Sequence, residues 1–356
     1  MGEQEIGDLE KIRVSVEHWL HGALPDRNGL EITHLAFPKA SGESSVTLIL
    51  DATSSDRDAE KFVFRMAPPT SQVFEKHDLL MQFEMMTLMA KHGLPAPRLV
   101  GYESDSSIVG SDFYVMEFCE GQIPSDNPPF HAAGWLKDDV PAADRATMWH
   151  RGLEVLAAIH RLDLGAESTH LGRLPRAEDG EPILAQEIRT FGSMFKPARR
   201  SGADPLINEA WELLKETVPT DGRPALCWGD SRVGNVIFRD ASPVAILDWE
   251  MANISDPRTD LAWWFWIDRC NSEGLGFERL AGLPEANEIY RQWAEWTGRS
   301  IEGIAWFELF AVVRYAIILD LKFLAFREAN SELGEIPNFV VPFIAPLMAA
   351  VRDRLS

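Results

Sequence analysis

The stretch from Leu226 to Asp260, LCWGDSRVGNVIFRDASPVAILDWEMANISDPRTD, constrains this chain more than any other. NVIFR and VAIL read as two short strands separated by a turn at Asp240, Ala241, Ser242 and Pro243. Such a hairpin brings Asn235 and Asp248, which are equally far from the turn, to the same open end. An amide oxygen and a carboxylate converging there form a hard-oxygen set suited to Mg²⁺, a cation that keeps waters and completes its shell with substrate phosphates. Asp230, on a loop preceded by Gly229, reaches the same opening and is placed to orient or deprotonate a hydroxyl nucleophile. Singly, these residues would be a turn Asp, a strand-start Asn and a strand-end cap. Their joint spacing argues for chemistry.

The flanking sequence divides in character. From Ile32 to Pro68 the pattern is strand-like: LAFP, a polar SGESS break, the β-rich VTLILDA, a charged turn SSDRDAE, then KFVFRM. A helical stretch from Gln72 to His92 stops at Gly93 and Pro95, and RLVGYE and SDFYVMEF supply two more strands. After a Pro-rich passage from Gln122 to Asp144, 3.6-residue periodicity predicts helices over Arg145–Arg161, Ile183–Ala198, Pro205–Val218, Pro284–Thr297, Ile301–Phe326 and Val341–Arg354. The predicted fold class is α+β. Residues 1–118 form a small lobe with an antiparallel sheet and a helix, and residues 119–356 form a larger, mostly helical lobe.

Composition narrows the partners. Thirty-four Lys and Arg against fifty-five Asp and Glu leave a formal charge of −21, which opposes a general role on nucleic acid, where clustered cations displace counterions. Three widely spaced cysteines, Cys119, Cys227 and Cys270, argue against a disulfide framework or a zinc ribbon and fit a reducing, cytoplasmic setting. The N-terminus lacks a signal-peptide pattern, and the apolar run from Trp306 to Phe326 is broken by Glu308, Arg314, Asp320 and Lys322. A membrane partner is therefore not expected.

An Asp, an Asn five residues on, a hairpin and a second Asp form the arrangement of protein-kinase-like phosphotransferases. With WGDSRVGNVIF, AILDWEMANISDPRTDLAW, FYVMEFCEG and LAAIHRLD, the chain resembles the aminoglycoside phosphotransferase and choline kinase superfamily, in particular the branch found as stand-alone bacterial proteins and fused to some acyl-CoA dehydrogenases. The resemblance implies a bilobal protein-kinase-like fold and transfer of the γ-phosphate of ATP (or GTP), with Mg²⁺, to a small-molecule hydroxyl. By position it makes Asp230 the catalytic base and Asn235 and Asp248 the Mg²⁺ ligands. Gly42, Ser44 and Ser45 fall in the loop that covers the phosphates, and Arg65 stands where kinases usually carry a phosphate-gripping Lys. Glu84, or else Glu75, is the implied partner of Arg65, and backbone groups of Glu117 and Cys119 would bind adenine.

The main departure is Trp228, where the family commonly has His; that puts loop geometry in question, not reaction type. Arg232 is read either as neutralising the transferred phosphoryl group or as pairing with Asp256 or Asp260. His160 and Asp163 read as structural, Asp260 as a brace of the loop, and Trp263, Trp264, Phe265 and Trp266 mainly as core, with a minority of these and Trp293, Trp296 and Trp306 lining an acceptor pocket. The segment from Gly165 to Pro224 reads as a small-molecule lid or pocket. A protein kinase is disfavoured because no Ala-Pro-Glu follows the metal Asp. A monomer or homodimer is expected. The competing function is a kinase-like protein that binds nucleotide or another ligand without transfer.

Overall fold

The computed structural model describes residues 9–38, 45–67, 78–329 and 336–354. They form two compact units, one of Met1–Gly121 with Val244–Glu250 and one of Gln122–Pro243 with Met251–Ser356.

In the first unit, α1 (Leu9–Ala23) precedes β1 (Glu31–Ala36), β2 (Val46–Ser54) and β3 (Arg57–Met66); α2 (Leu79–Lys91), β4 (Leu99–Glu103) and β5 (Phe113–Glu117) follow. The five strands are antiparallel in the order β1-β2-β3-β5-β4. The alternation of VTLILDATS puts Val46, Leu48, Leu50 and Ala52 on the buried face of β2, against Ile12, Val16 and Leu20 of α1. Those three residues recur every fourth position and so share one face of the helix. The expected charged turn SSDRDAE is mostly strand, since β2 runs to Ser54 and β3 begins at Arg57. Asp78 caps α2 by accepting from the Met81 N–H at 2.9 Å. Residues 72–77 of the expected helix lie outside the described residues.

The second unit is mainly helical: α3 (Trp135–Asp138), α4 (Ala142–Ile159), α5 (Ser168–Leu171), α6 (Ala185–Arg200) and α7 (Pro205–Glu216) come first. Next come β6 (Ala225–Cys227), β7 (Val236–Arg239), β8 (Ser242–Ile246, of which Val244–Ile246 count with the first unit) and β9 (Asn253–Ser255), then α8 (Arg258–Ser272), α9 (Ala286–Thr297), α10 (Ile304–Ala329) and α11 (Ile344–Asp353). Asp204 caps α7, its side chain accepting from the Leu206 N–H at 2.8 Å, with Pro205 entering the first turn. β7 and β8 form a two-stranded sheet whose turn is Asp240 and Ala241, both left-handed at φ 49° and 55°. The expected four-residue turn thus narrows to two, because positive φ at both central positions matches the twist of a hairpin. β6 and β9 pair antiparallel, Cys227 opposite Asn253.

Helix α8 was not among the predicted helices. Thirteen of its side chains are buried, from Arg258 to Ser272, so it is enclosed on every side, polar residues included, and carries no amphipathic stripe. Its Trp264 packs edge-on against Trp149 of α4, over Gly152, where a Cβ would stand 2.6 Å from the indole. Among the described residues, no helix is long and apolar enough to cross a membrane.

Candidate active site

The loop that leaves β6 is shaped by Gly229. Its φ is +89°, and an added Cβ would lie 2.1 Å from the Met251 carbonyl oxygen, so only glycine fits. Asp260, in the first turn of α8, accepts from the Trp228 N–H at 2.6 Å and the Gly229 N–H at 2.9 Å. It also bonds His160 Nε2 at 3.1 Å, while His160 Nδ1 accepts from Trp293 Nε1 at 2.9 Å, which sets the tautomer. The loop backbone is therefore held by a carboxylate, whatever side chain stands at the buried Trp228. His160, Cys227 and Asp260 lie within 4.8 Å of one another. They do not read as a metal site: the Asp260 oxygens are committed to N–H groups, and burial pushes the Cys227 thiol up, away from the thiolate that binds metal.

Past this brace, Asp230 is held on both oxygens. Oδ1 accepts from Trp263 Nε1 at 2.8 Å; Oδ2 accepts from Asn235 Nδ2 at 2.7 Å and from Arg232 Nε at 3.0 Å. Burial pushes the Asp230 carboxyl up, but the Arg232 charge and the three hydrogen bonds outweigh it and hold the group below its usual value. It is a carboxylate at neutral pH, as a proton acceptor must be. Asn235 closes a 3₁₀ turn of Val233–Asn235 instead of opening a strand. Its Nδ2 also donates to the Asp230 carbonyl at 3.0 Å, so its Oδ1 is the atom left to bind a hard cation.

Arg232 pairs with carboxylates other than the foreseen Asp256 and Asp260. Its Nη1 lies 2.5 Å from Asp126 Oδ2 and its Nε on Asp230, while Asp256 is taken up by Arg258 at 2.7 Å and Asp260 by the loop. Burial alone would lower the Arg232 pKa; the two carboxylates reverse that and raise it, fixing the cation.

A second group of the named residues meets in the first unit. Arg65 on β3 donates through Nε to Ser45 Oγ at 2.9 Å, donates again through Nη2, and pairs with Asp248 at 3.9 Å. Burial works against this cation, but Tyr114, Asp248 and Glu250 outweigh it and raise its pKa. Ser45 thus serves here as an acceptor for Arg65. The implied Arg65–Glu84 pair is not formed among the described residues: the fork of Arg65 turns to Ser45 and Asp248, and one buried Glu84 oxygen has no hydrogen-bond partner. Asp248 has φ +62°, a conformation uncommon for a non-glycine residue and often found where a site constrains the backbone. At the end of β5, the Glu117 N–H donates to Arg98 O at 2.8 Å, so a ligand contact at this residue falls to its carbonyl; Cys119 lies two residues on, half-buried. Gly42, Ser44 and Glu75 lie outside the described residues.

Two contributors went unread in the sequence. Trp263 was assigned mainly to core, since nothing in DLAWWFW separates the indole that meets Asp230 from its neighbours. Asp126 sits in a Pro-rich loop 106 positions from its partner Arg232, beyond any local pattern.

The profile described as the phosphotransferase enzyme family matches residues 40–298. The acyl-CoA dehydrogenase family member 11 of Rattus norvegicus is 27% identical over 258 residues, covering 70% of this chain and 31% of that protein. The chain thus spans about a third of the length of that relative. A Ralstonia eutropha JMP134 protein assigned to the aminoglycoside phosphotransferases superposes with a TM-score of 0.70 at 19% identity over 97% of both chains. Choline kinase LicA of Streptococcus pneumoniae does so with a TM-score of 0.57 at 14% identity, over 97% of this chain and 99% of that one. At these identities the superpositions show a shared kinase-like fold. Taken with the matched profile, which spans the Asp230 loop and the Asp248 segment, they establish that the chain belongs to the phosphotransferase enzyme family.

Proposed function

We propose that this chain transfers the γ-phosphate of ATP, with Mg²⁺, to a hydroxyl of a small molecule, Asp230 acting as the base. The observation that carries this reading is the Asp230 carboxylate, kept ionised and oriented on both oxygens by Trp263, Asn235 and Arg232. In the proposed step the acceptor oxygen attacks the γ-phosphorus, and its proton passes to Asp230. The bond from phosphorus to the β,γ-bridging oxygen breaks, its electron pair leaving on ADP. Arg232 holds positive charge two residues from the base, where it offsets charge on the phosphoryl oxygens. Arg65 keeps its cation for the nucleotide phosphates, although a planar fork replaces the point charge of a Lys. Glu117 and Cys119 offer backbone groups to adenine, and Gly42, Ser44 and Ser45 belong to the phosphate-covering loop. Glu84 is assigned to Arg65 only in a nucleotide-bound state, since no ion pair between the two is formed here.

Asn235 Oδ1 and the Asp248 carboxylate supply hard oxygens of the kind Mg²⁺ takes. When bound, the ion neutralises charge on the phosphate oxygens. The acceptor is a small alcohol: an aminoglycoside, a choline-like amine, or a more apolar substrate such as a hydroxyacyl thioester. The relative named as an acyl-CoA dehydrogenase family member favours the last by analogy. The test is nucleotide consumption at fixed Mg²⁺ across aminoglycosides, macrolides, choline-type amines and hydroxyacyl-CoAs, with Asp230→Ala as blank. Turnover abolished in the variant supports transfer; nucleotide binding with no turnover on any acceptor favours a non-catalytic binder.

A further inference from the structure

The indole of Trp263 is gripped on several sides. It is 2% exposed, the guanidinium carbon of Arg314 lies 4.6 Å from its ring centroid, and Tyr315 meets it edge-on at 6.0 Å. Arg314 is itself fixed, 1% exposed, 3.3 Å from Glu187, stacked on Phe191 and Phe310, and donating to the Gly229 carbonyl at 3.3 Å. One buried arginine therefore ties the Trp263 ring to the loop that carries Asp230. The ring has no freedom to turn its N–H elsewhere, and that N–H lies 2.8 Å from Asp230 Oδ1.

A carboxylate offers about four lone-pair sites. Oδ2 has both of its own occupied, by Asn235 and Arg232. Oδ1 has one occupied, by Trp263. Among the described residues a single site remains open, on Oδ1.

We propose that Trp263 is a positioning residue of the transfer reaction: its indole N–H locks the Asp230 carboxylate so that the one open lone pair of Oδ1 receives the acceptor hydroxyl, which is thereby brought in alongside the indole edge. The inference rests on the proposed function for its catalytic half. The contact half stands on geometry alone. Without the N–H the carboxylate is free to swing about its Cβ–Cγ bond, and the acceptor loses its fixed line of attack.

Trp263→Phe keeps an aromatic ring for Arg314 and Tyr315 while deleting the N–H donor with the rest of the pyrrole ring. The expected result is a kcat lower by about 10- to 100-fold, the size of a lost hydrogen bond to a charged group, with the KM for nucleotide within twofold. A merely structural Trp would not confine the loss to kcat. A variant within twofold of the parent in kcat overturns the proposal.

The contact is read separately, from the ¹H–¹⁵N indole signal of Trp263 in the parent protein and in Asp230→Ala. That signal should lie downfield of the exposed indoles in the parent and move upfield when the acceptor carboxylate is removed. An indole signal unmoved by Asp230→Ala overturns the inference even if the enzyme turns over. If the parent protein transfers phosphate to no acceptor, the functional reading falls, and the indole shift alone decides whether Trp263 holds Asp230.

Discussion

Asp230 has no substitute within the loop, since every other group touching it is a donor. Asp230→Asn should lower phosphate transfer by about 10²- to 10⁴-fold, the usual worth of a positioned base, while nucleotide binding persists. A variant that retains more than a tenth of the parent kcat would remove Asp230 from the chemistry. Because the folded carboxyl sits below its unfolded value, Asp230 contributes stability above that unfolded value, lost as pH falls through the lower folded one. The acid limb of activity should accordingly lie below the ordinary carboxylate range. Gly229→Ala meets both a left-handed φ and the Met251 carbonyl, so it should cost more than the ~1–3 kcal/mol of backbone strain alone, read by denaturant unfolding. At this scale the sequence was legible where chemistry depends on local spacing: Asp230, Arg232 and Asn235 lie within six positions and do meet. It was illegible where partners are distant. Neither the Asp126 carboxylate on Arg232 nor the replacement of Glu84 by Ser45 and Asp248 around Arg65 leaves a local trace.

Elements follow the same division. The helices α4, α6, α7 and α9 were foreseen because each alternates a buried stripe with solvent; α10 was expected from the same periodicity, although its residues from Ile304 to Leu319 are buried almost all round. Helix α8 escaped because burial on all sides erases the stripe, and β6 and β9, three residues each, are too short for a period-two pattern. Helix α1 is not among the helices expected from the sequence. What α6 and α10 add is a buried ion pair: Arg314 of α10 faces Glu187 of α6 at 3.3 Å, both at most 2% exposed, and Arg314 also holds Trp263 and Gly229. Burial pushes the Glu187 carboxyl up, with Arg314 opposing it. Removing one member of such a pair strands a charge, so Arg314→Met should cost about 3–5 kcal/mol. Glu187→Gln combined with Arg314→Met should cost less than the sum of the single changes, because no charge is left unpaired. Additive losses in a double-mutant cycle would show that the two side chains do not act as a pair.

The whole molecule carries −21, so the folded state works against its own repulsion, and added salt alone should raise the melting temperature. That sets the terms of the test for nucleotide. ATP brings further negative charge to an acidic protein, and stabilisation by it requires specific cationic partners; Arg65 and Arg232, both held as cations by neighbouring carboxylates, are the candidates. At constant ionic strength, ATP with Mg²⁺ at about a hundred times its dissociation constant should add about 2.7 kcal/mol. For a chain of 356 residues that corresponds to a rise of about 3–4 °C in Tm. ATP with a chelator should give a smaller rise, and Asn235→Ala should abolish the difference between the two conditions, because the variant loses the amide oxygen assigned to the ion. A rise that is equal with and without Mg²⁺ in the parent protein would remove Asn235 and Asp248 from metal binding while leaving nucleotide binding intact. The absence of any rise with ATP, at matched salt and with the parent fold intact, would withdraw the phosphate-binding role from Arg65 and leave the family membership without its nucleotide.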